Sequence, residues 1–179
     1  MDSHCLIRRL TPGAKISVLI GIVLVFVELG ACTTGVTTMK NEKLNEFATQ
    51  YTAAWNSQDP GSVAAFFAEG ATLSVNGSPA TGREAITGVA RGFMTGFPDM
   101  VLLMEKLEFH PDQADFHWTF IGTNTGPGGT GNTVHFSGFE EWTIGEDGLI
   151  AQSMGHFDAD EYQHQLEHGV DSRPHTTRK

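Results

Sequence analysis

Residues 122–133 read GTNTGPGGTGNT, and the reading of this stretch decides the fold. Within it, Gly126-Pro127-Gly128-Gly129-Thr130-Gly131 satisfies G-x-G-x-x-G, the spacing of a dinucleotide-binding loop. Such a loop must follow a strand and open a helix, because the helix N-terminus supplies the free N–H groups and the positive dipole end. The next residues are Thr133-Val-His-Phe-Ser-Gly-Phe-Glu-Glu-Trp-Thr-Ile144, rich in β-branched and aromatic types and free of helical periodicity. That pattern is a strand. No Lys comes after the glycines, so a P-loop is excluded as well. The stretch reads as a tight connection between two strands, and no cofactor is expected.

Outward from this hairpin, residues 100–109, 116–122 and 149–157 also read as strands. HPDQAD at 110–115 and GEDG at 145–148 supply the remaining turns. Upstream the period changes. Leu44, Phe47, Tyr51, Ala54 and Trp55 recur at three- and four-residue spacing, which predicts a helix from Met39. Asp59-Pro60 ends it and starts a second, with Asp as N-cap and Pro at the first helical position. This second helix is expected to carry Val63, Phe66 and Phe67 and to stop at Gly70. Residues 71–75 form a short strand leading into the Asn76-Gly77 turn. Thr81-Gly82-Arg83-Glu84 has the capping-box pattern and opens a third helix with Ile86, Val89 and Phe93 inward, closed by Pro98. A last helix spans 159–168 and ends at Gly169. Helices first and antiparallel strands afterwards predict an α+β fold, a curved sheet wrapped over the helices.

The chain has 179 residues, 40% hydrophobic and 18% charged, which fits one domain plus an N-terminal extra. Arg8, Arg9 and Lys15 make a positive segment, residues 16–27 an apolar one, and Leu29-Gly30-Ala31-Cys32 closes it with small residues. This order is a secretory signal. Its apolar run is shorter than the roughly 20 residues of a spanning helix. Leu-Gly-Ala-Cys resembles the lipobox of bacterial lipoproteins, which implies a signal peptide over 1–31, lipid attachment at Cys32 and a polar tether over 32–38. An uncleaved anchor, or cleavage elsewhere, is the alternative. The domain then runs over 39–169, with a flexible tail at 170–179.

Cys5 and Cys32 are the only cysteines, so the domain holds neither a disulfide nor a thiol nucleophile. Past Cys32 the chain carries eight Lys or Arg against nineteen Asp or Glu. Such a surface repels phosphate backbones, so no nucleic acid partner is expected. Membrane contact would be through the acyl chains, placing the protein on the cell envelope.

Three groups of residues carry a further resemblance. They are Tyr51-Thr-Ala-Ala-Trp-Asn-Ser-Gln-Asp59 followed by Ala64-Ala-Phe-Phe-Ala-Glu-Gly-Ala-Thr72; Asn76-Gly77 with Gly82-Arg-Glu-Ala-Ile86; and Gly122-Thr-Asn-Thr-Gly126 with Gly148-Leu-Ile150 and His156-Phe-Asp158. Together they resemble the SnoaL-like polyketide cyclases of the nuclear transport factor two-like superfamily, which also holds ketosteroid isomerase. The resemblance spans about residues 40–169. It implies a cone closed by a strongly bent, mostly antiparallel sheet (a cystatin-like roll), an apolar cavity and often a homodimer. One fold serves many activities, so it specifies the fold more than the chemistry.

The resemblance also implies candidate site residues. Asp158 matches the acid/base Asp at the end of the last strand in SnoaL-like cyclases; equally, Asp158-Ala-Asp-Glu161 is itself a capping box for the final helix. Tyr51 matches the oxyanion-donating Tyr of ketosteroid isomerase. Glu140 lies near that enzyme's second donor, a carboxylic acid kept protonated by an apolar site. The bland reading makes Tyr51 a core residue and Glu140 a solvated strand residue. The isomerase's base would fall at about Val75 or Asn76, neither of which accepts a proton at neutral pH, so that mechanism does not carry over. Asn124 stands where the SnoaL-like pattern usually has His, which implies a different substrate.

From spacing alone, His156 shares strand parity with Asp158, so the two form a candidate proton-transfer couple. His117 falls on the parity opposite Phe116, Trp118 and Phe120, outside. Glu161, His164 and His168 align on the final helix without a fourth ligand, so they read as a solvated face and no metal is expected. Trp55, Phe93, Phe97, Trp118 and Trp142 are candidates to line a cavity for a flat or greasy ligand, or simply to fill it. Two functions are compatible with these residues. One is a lipid-anchored, cofactor-independent acid/base isomerase or cyclase acting on a small apolar carbonyl compound. The other is a non-catalytic envelope module that binds an apolar ligand or a protein, which an export signal favours.

Overall fold

The computed structural model describes residues 33–111 and 113–170. The expected leader, Cys32 and the tail beyond residue 170 lie outside the described residues. In chain order the elements are α1 (Thr33–Asn56), α2 (Pro60–Ala64), β1 (Phe67–Val75), β2 (Ser78–Thr81) and α3 (Arg83–Gly96). Then come β3 (Val101–Phe109), β4 (Ala114–Thr123), β5 (Thr133–Ile144), β6 (Ile150–Phe157) and α4 (Ala159–His168). The six strands form one curved sheet in the order β2-β1-β6-β5-β4-β3, antiparallel except for the β1–β6 pair. This is the expected α+β cone. Register shifts at Met104/Lys106 in the β3–β4 pair and at Thr143/Ile144 in the β5–β6 pair mark irregularities of the kind that bend a strand.

The Gly-rich stretch is the β4–β5 hairpin connection, with Thr123 paired to Thr133 and Gly122 to Val134. The glycines lead into strand β5, not into a helix. Gly128 and Gly131 take φ near +77° and +78°, which only glycine adopts without strain. Gly126 serves a different purpose. A Cβ there would collide with the Thr95 carbonyl oxygen, so the loop can press against the end of α3 only because the side chain is absent.

Four expectations needed correction. The segment read as a tether is helical from Thr33, in continuity with α1. The second helix stops at Ala64, and Phe67 already belongs to β1, a nine-residue strand instead of five. Its alternate burial (Phe67, Ala71 and Leu73 inward) is what the apolar run encoded. Residues 78–81 form β2, so the capping box is not made. Thr81 pairs with Thr72, the two hydroxyls 3.0 Å apart, and Gly82 is the N-cap of α3 without a side-chain cap bond. Asp59, in contrast, does cap α2, accepting from Gly61 N at 3.0 Å with Pro60 at the first position.

Side-chain amides fasten helices to the sheet. Asn56, at the end of α1, donates to the Leu102 carbonyl (2.9 Å) and accepts from Leu102 N (2.7 Å) on edge strand β3. Gln165 on α4 does the same to His135 on β5, at 3.0 and 2.6 Å. Each amide imitates a strand neighbour and satisfies backbone groups that the sheet leaves open. The concave face so enclosed holds the core and the site.

Candidate functional site

On β5, Phe136, Glu140 and Trp142 point to the concave face, while His135 and Glu141 belong to the other. Inside, Trp142 stacks on Phe116 with centroids 4.7 Å apart and planes 14° apart. Tyr51 from α1 stands edge-on to both, and to Phe67. These rings bury the Glu140 carboxylate, which is 6% exposed. A buried carboxylate must find donors, and three converge on one oxygen. Glu140 Oε2 accepts from Ser153 Oγ at 2.7 Å, Trp142 Nε1 at 2.9 Å and the Tyr51 hydroxyl at 3.1 Å. Oε1 receives only a second, long contact of 3.4 Å from Tyr51. One oxygen is saturated and the other nearly free.

This asymmetry matters because Glu140 also lines a cavity. The cavity runs between α1 and α3 on one side and the sheet on the other. Its walls are apolar: Trp55 and Phe93 from the helices, Leu73, Trp118, Phe136 and Phe157 from the strands. Among the described residues, Glu140 is the only ionisable side chain lining it. The cavity volume is about 50 Å³, space for more than one water. Val89 and Phe93 are shared with an open groove bounded by Gly88, Gly92, Phe97 and Tyr162, which reaches solvent between α3 and α4.

Burial pushes the Glu140 carboxyl above its ordinary value of 4.5, against the pull of the Trp142, Ser153 and Tyr51 hydrogen bonds, which favour the ionised form. The Tyr51 phenol is raised well above 10.0, first by burial and then by the neighbouring Glu140 charge. Tyr51 therefore stays a donor, and Glu140 is the group in the pair able to exchange a proton. Trp55 Nε1 lies towards the Tyr51 hydroxyl and favours its ionised form, but without the geometry of a hydrogen bond. Trp118 Nε1 is buried and has no acceptor among the described residues.

The other sequence candidates scatter. Asp158 is exposed and is the N-cap of α4, accepting from Glu161 N at 2.9 Å; it does not line the cavity. His156 corrects the parity argument. Phe157, its neighbour, lines the cavity, so His156 lies on the outer face, stacked on Phe139 at 4.9 Å. Asp158 is past the strand end, where parity no longer applies. His117 is on the outer face, as expected, stacked on the other side of Phe139. Trp55, Phe93 and Trp118 line the cavity; Phe97 lines the groove. Trp142 lies behind Glu140. Asn124 ties the hairpin loop together, donating to Gly96 O (3.1 Å) and accepting from Thr130 N (2.8 Å). Sequence reasoning missed Ser153. Its signal was a lone polar residue on the inward parity of β6.

Residues 48–153 match the family model described as SnoaL-like domain, more than half of the chain. The chain belongs to the SnoaL-like family. Solved structures agree on the fold. A hypothetical protein with ketosteroid isomerase-like fold from Catenulispora acidiphila DSM 44928, in complex with trimethylamine, superposes with a TM-score of 0.62 at 18% identity. The match covers 72% of this chain and 98% of that one. TsrD from Streptomyces laurentii gives 0.60 at 24% identity, covering 69% and 93%. A putative SnoaL-like polyketide cyclase from Jannaschia sp. CCS1 gives 0.52 at 16%, covering 60% and 75%. No curated protein matches the sequence. At these identities the likeness concerns the fold alone.

Proposed function

We propose that this SnoaL-like domain binds a small, largely apolar carbonyl compound in the cavity and moves a proton on it, with Glu140 as the acid/base group. The observation that carries the reading is the asymmetric carboxylate: Oε2 holds three donors, while Oε1 remains for a ligand at the wall of an apolar chamber. Ionised, Oε1 takes a proton from a carbon next to the carbonyl. The three donors on Oε2 hold the carboxylate in place, and the apolar walls limit the water that reaches it. The protonated acid then returns the proton, to the same carbon or to another along the conjugated system. Its pKa, raised by burial, moves towards the range where such exchange is efficient. Tyr51 keeps the carboxylate in place and holds its own proton throughout.

In this reading Asp158 is the helix cap and not the base, since it is exposed and already occupied by Glu161 N. Export and lipid attachment at Cys32 remain part of the proposal, supported by the residues at 8–32. The apolar lining and the free Trp118 indole suit a ligand with an aromatic or aliphatic body and a hydrogen-bond acceptor. A second reading keeps the ligand and omits the chemistry. It is favoured by the completeness of the Oε2 hydrogen bonds, which by themselves make a stable buried carboxylate.

The test has two stages. Native mass spectrometry of the detergent-solubilised full chain identifies a co-purified ligand. That ligand is then incubated with the protein in D2O and its deuterium content followed. Proton transfer predicts exchange at the carbon next to the carbonyl, falling about 10²–10⁴-fold in Glu140→Gln. Bound ligand with no enzyme-dependent exchange leaves the binding reading alone. Exchange unchanged in Glu140→Gln removes Glu140 from the mechanism.

A further inference from the structure

On the outer face of the sheet, away from the cavity, the β3–β4 hairpin gathers a second cluster. Glu108 and Asp115 are cross-strand partners, and Lys106 is the partner of His117. Alternation puts residues 115 and 117 on one face of β4. One oxygen each of Glu108 and Asp115 and one nitrogen of His117 all lie within 4.8 Å of one another. His117 Nε2 is 3.2 Å from Glu108 Oε2. Two ligand atoms on one tetrahedral zinc ion sit about 3.3 Å apart, given metal–ligand bonds of about 2.0–2.1 Å. The Glu108–His117 spacing is that of two ligands on one ion, and Asp115 lies within reach of both.

Three features make this more than a patch of acids. The third donor is an imidazole, the commonest transition-metal ligand, and its ring is held by stacking on Phe139 at 5.6 Å and 27°. Asp115 is oriented by His110, whose Nε2 lies 2.9 Å from Asp115 Oδ2; such partners hold ligand carboxylates in place. Glu108 divides its oxygens: Lys106 Nζ holds Oε1, leaving Oε2 turned to His117. The lysine therefore competes for the residue but not for the ligating atom.

We propose that Glu108, Asp115 and His117 form a surface site for a divalent first-row transition-metal ion, with His110 as the positioning residue and water completing the sphere. Two carboxylates and one imidazole suit zinc and its neighbours better than calcium or magnesium, which take oxygen ligands alone. The chain's net charge of −10 adds a long-range attraction for cations. The site shares no residue with the cavity.

The experiment is a Zn2+ titration of the full chain without a histidine tag, against a chromophoric chelator. The expected result is one ion per chain. His117→Ala should weaken binding by at least about tenfold and His110→Ala by about 10–100-fold or less, the range for groups that orient a ligand. His156→Ala, also on the outer face beside Phe139, should leave affinity unchanged. Melting curves of each variant in chelator, matching wild type, exclude loss of fold. No stoichiometric binding, or equal affinity of wild type and His117→Ala, overturns the proposal.

Discussion

Two carboxylates of this chain show how environment assigns a role. Glu140 and Asp158 each accept hydrogen bonds near the β5–β6 part of the sheet, and resemblance made both candidates, Asp158 as the acid/base and Glu140 as an oxyanion donor. Asp158 meets a single backbone N–H at the start of α4, in the open. Glu140 meets a phenol, an indole and a hydroxyl, all on one oxygen, inside a shell of aromatic rings. Solvent replaces whatever Asp158 loses. Nothing replaces what Glu140 loses, so the fold constrains it and its chemistry depends on that constraint.

The largest effect should come from breaking the buried side of the comparison. Glu140→Leu leaves the Tyr51, Trp142 and Ser153 donors without their acceptor. Each buried donor left unsatisfied costs about 1–3 kcal/mol, partly offset because a buried charge is also removed. A net loss of about 2–4 kcal/mol is expected in urea unfolding. No loss would mean that the three donors do not hold the carboxylate as the geometry indicates.

The same group gives a pH signature. Its folded pKa lies above the ordinary 4.5, so the folded state binds the proton more tightly than the unfolded chain. Its stabilising contribution is complete below 4.5 and declines as pH rises through the raised folded value. Wild type should therefore lose stability relative to Glu140→Gln across that window. A difference that stays flat with pH would show that burial does not shift Glu140.

The cavity wall can be tested next, at a glycine. A Cβ on Gly138 would collide with the His156 carbonyl oxygen and sit 2.5 Å from Cζ2 of Trp118. The carbonyl belongs to the sheet and cannot withdraw. Gly138→Ala should cost about 1–3 kcal/mol, the usual range for overpacking, and displace Trp118 towards the cavity. A shift in tryptophan emission together with weaker ligand binding checks this. A fully stable variant with unchanged emission would show that the sheet gives way at this point and the wall is not fixed.

How much of this was legible depends on which interactions are local. The hairpin glycines, the strand at 133–144 and the cap at Asp59 depend on neighbours within a few residues, so the sequence shows them directly. The cap at Asp158 was one of two open readings, between which only its exposure decides. Phe67 was misplaced because Val63, Phe66 and Phe67 fit a helical face as well as a strand start, and only pairing with Ile150 decides between them. Thr81 has the sequence of a capping box, but its hydroxyl goes to Thr72 across a strand pair that no local rule reveals. The site was legible in part. Tyr51 and Glu140 were recognisable as a pair by resemblance, 89 residues apart. Nothing in the spacing showed that Ser153 and Trp142 would load the same oxygen, since that depends on the register of β5 against β6, where Trp142 faces Ser153.

The exposed side of the comparison should respond least, and in a way that separates its two readings. Asp158→Ala removes the side-chain acceptor of Glu161 N and should cost about 1 kcal/mol, the usual value of an N-cap. Asp158→Asn keeps an acceptor of the same reach and should cost only a few tenths, because Asn caps as well as Asp. Deuterium exchange into the bound ligand should be unchanged in both. The Asn variant carries the weight of the test, since it keeps the cap and removes only the ability to hold a proton. If Asp158→Asn folds as wild type yet abolishes exchange, the acid/base role moves from Glu140 back to the end of the last strand. The cavity would then have to open between β6 and α4 for that carboxylate to reach it.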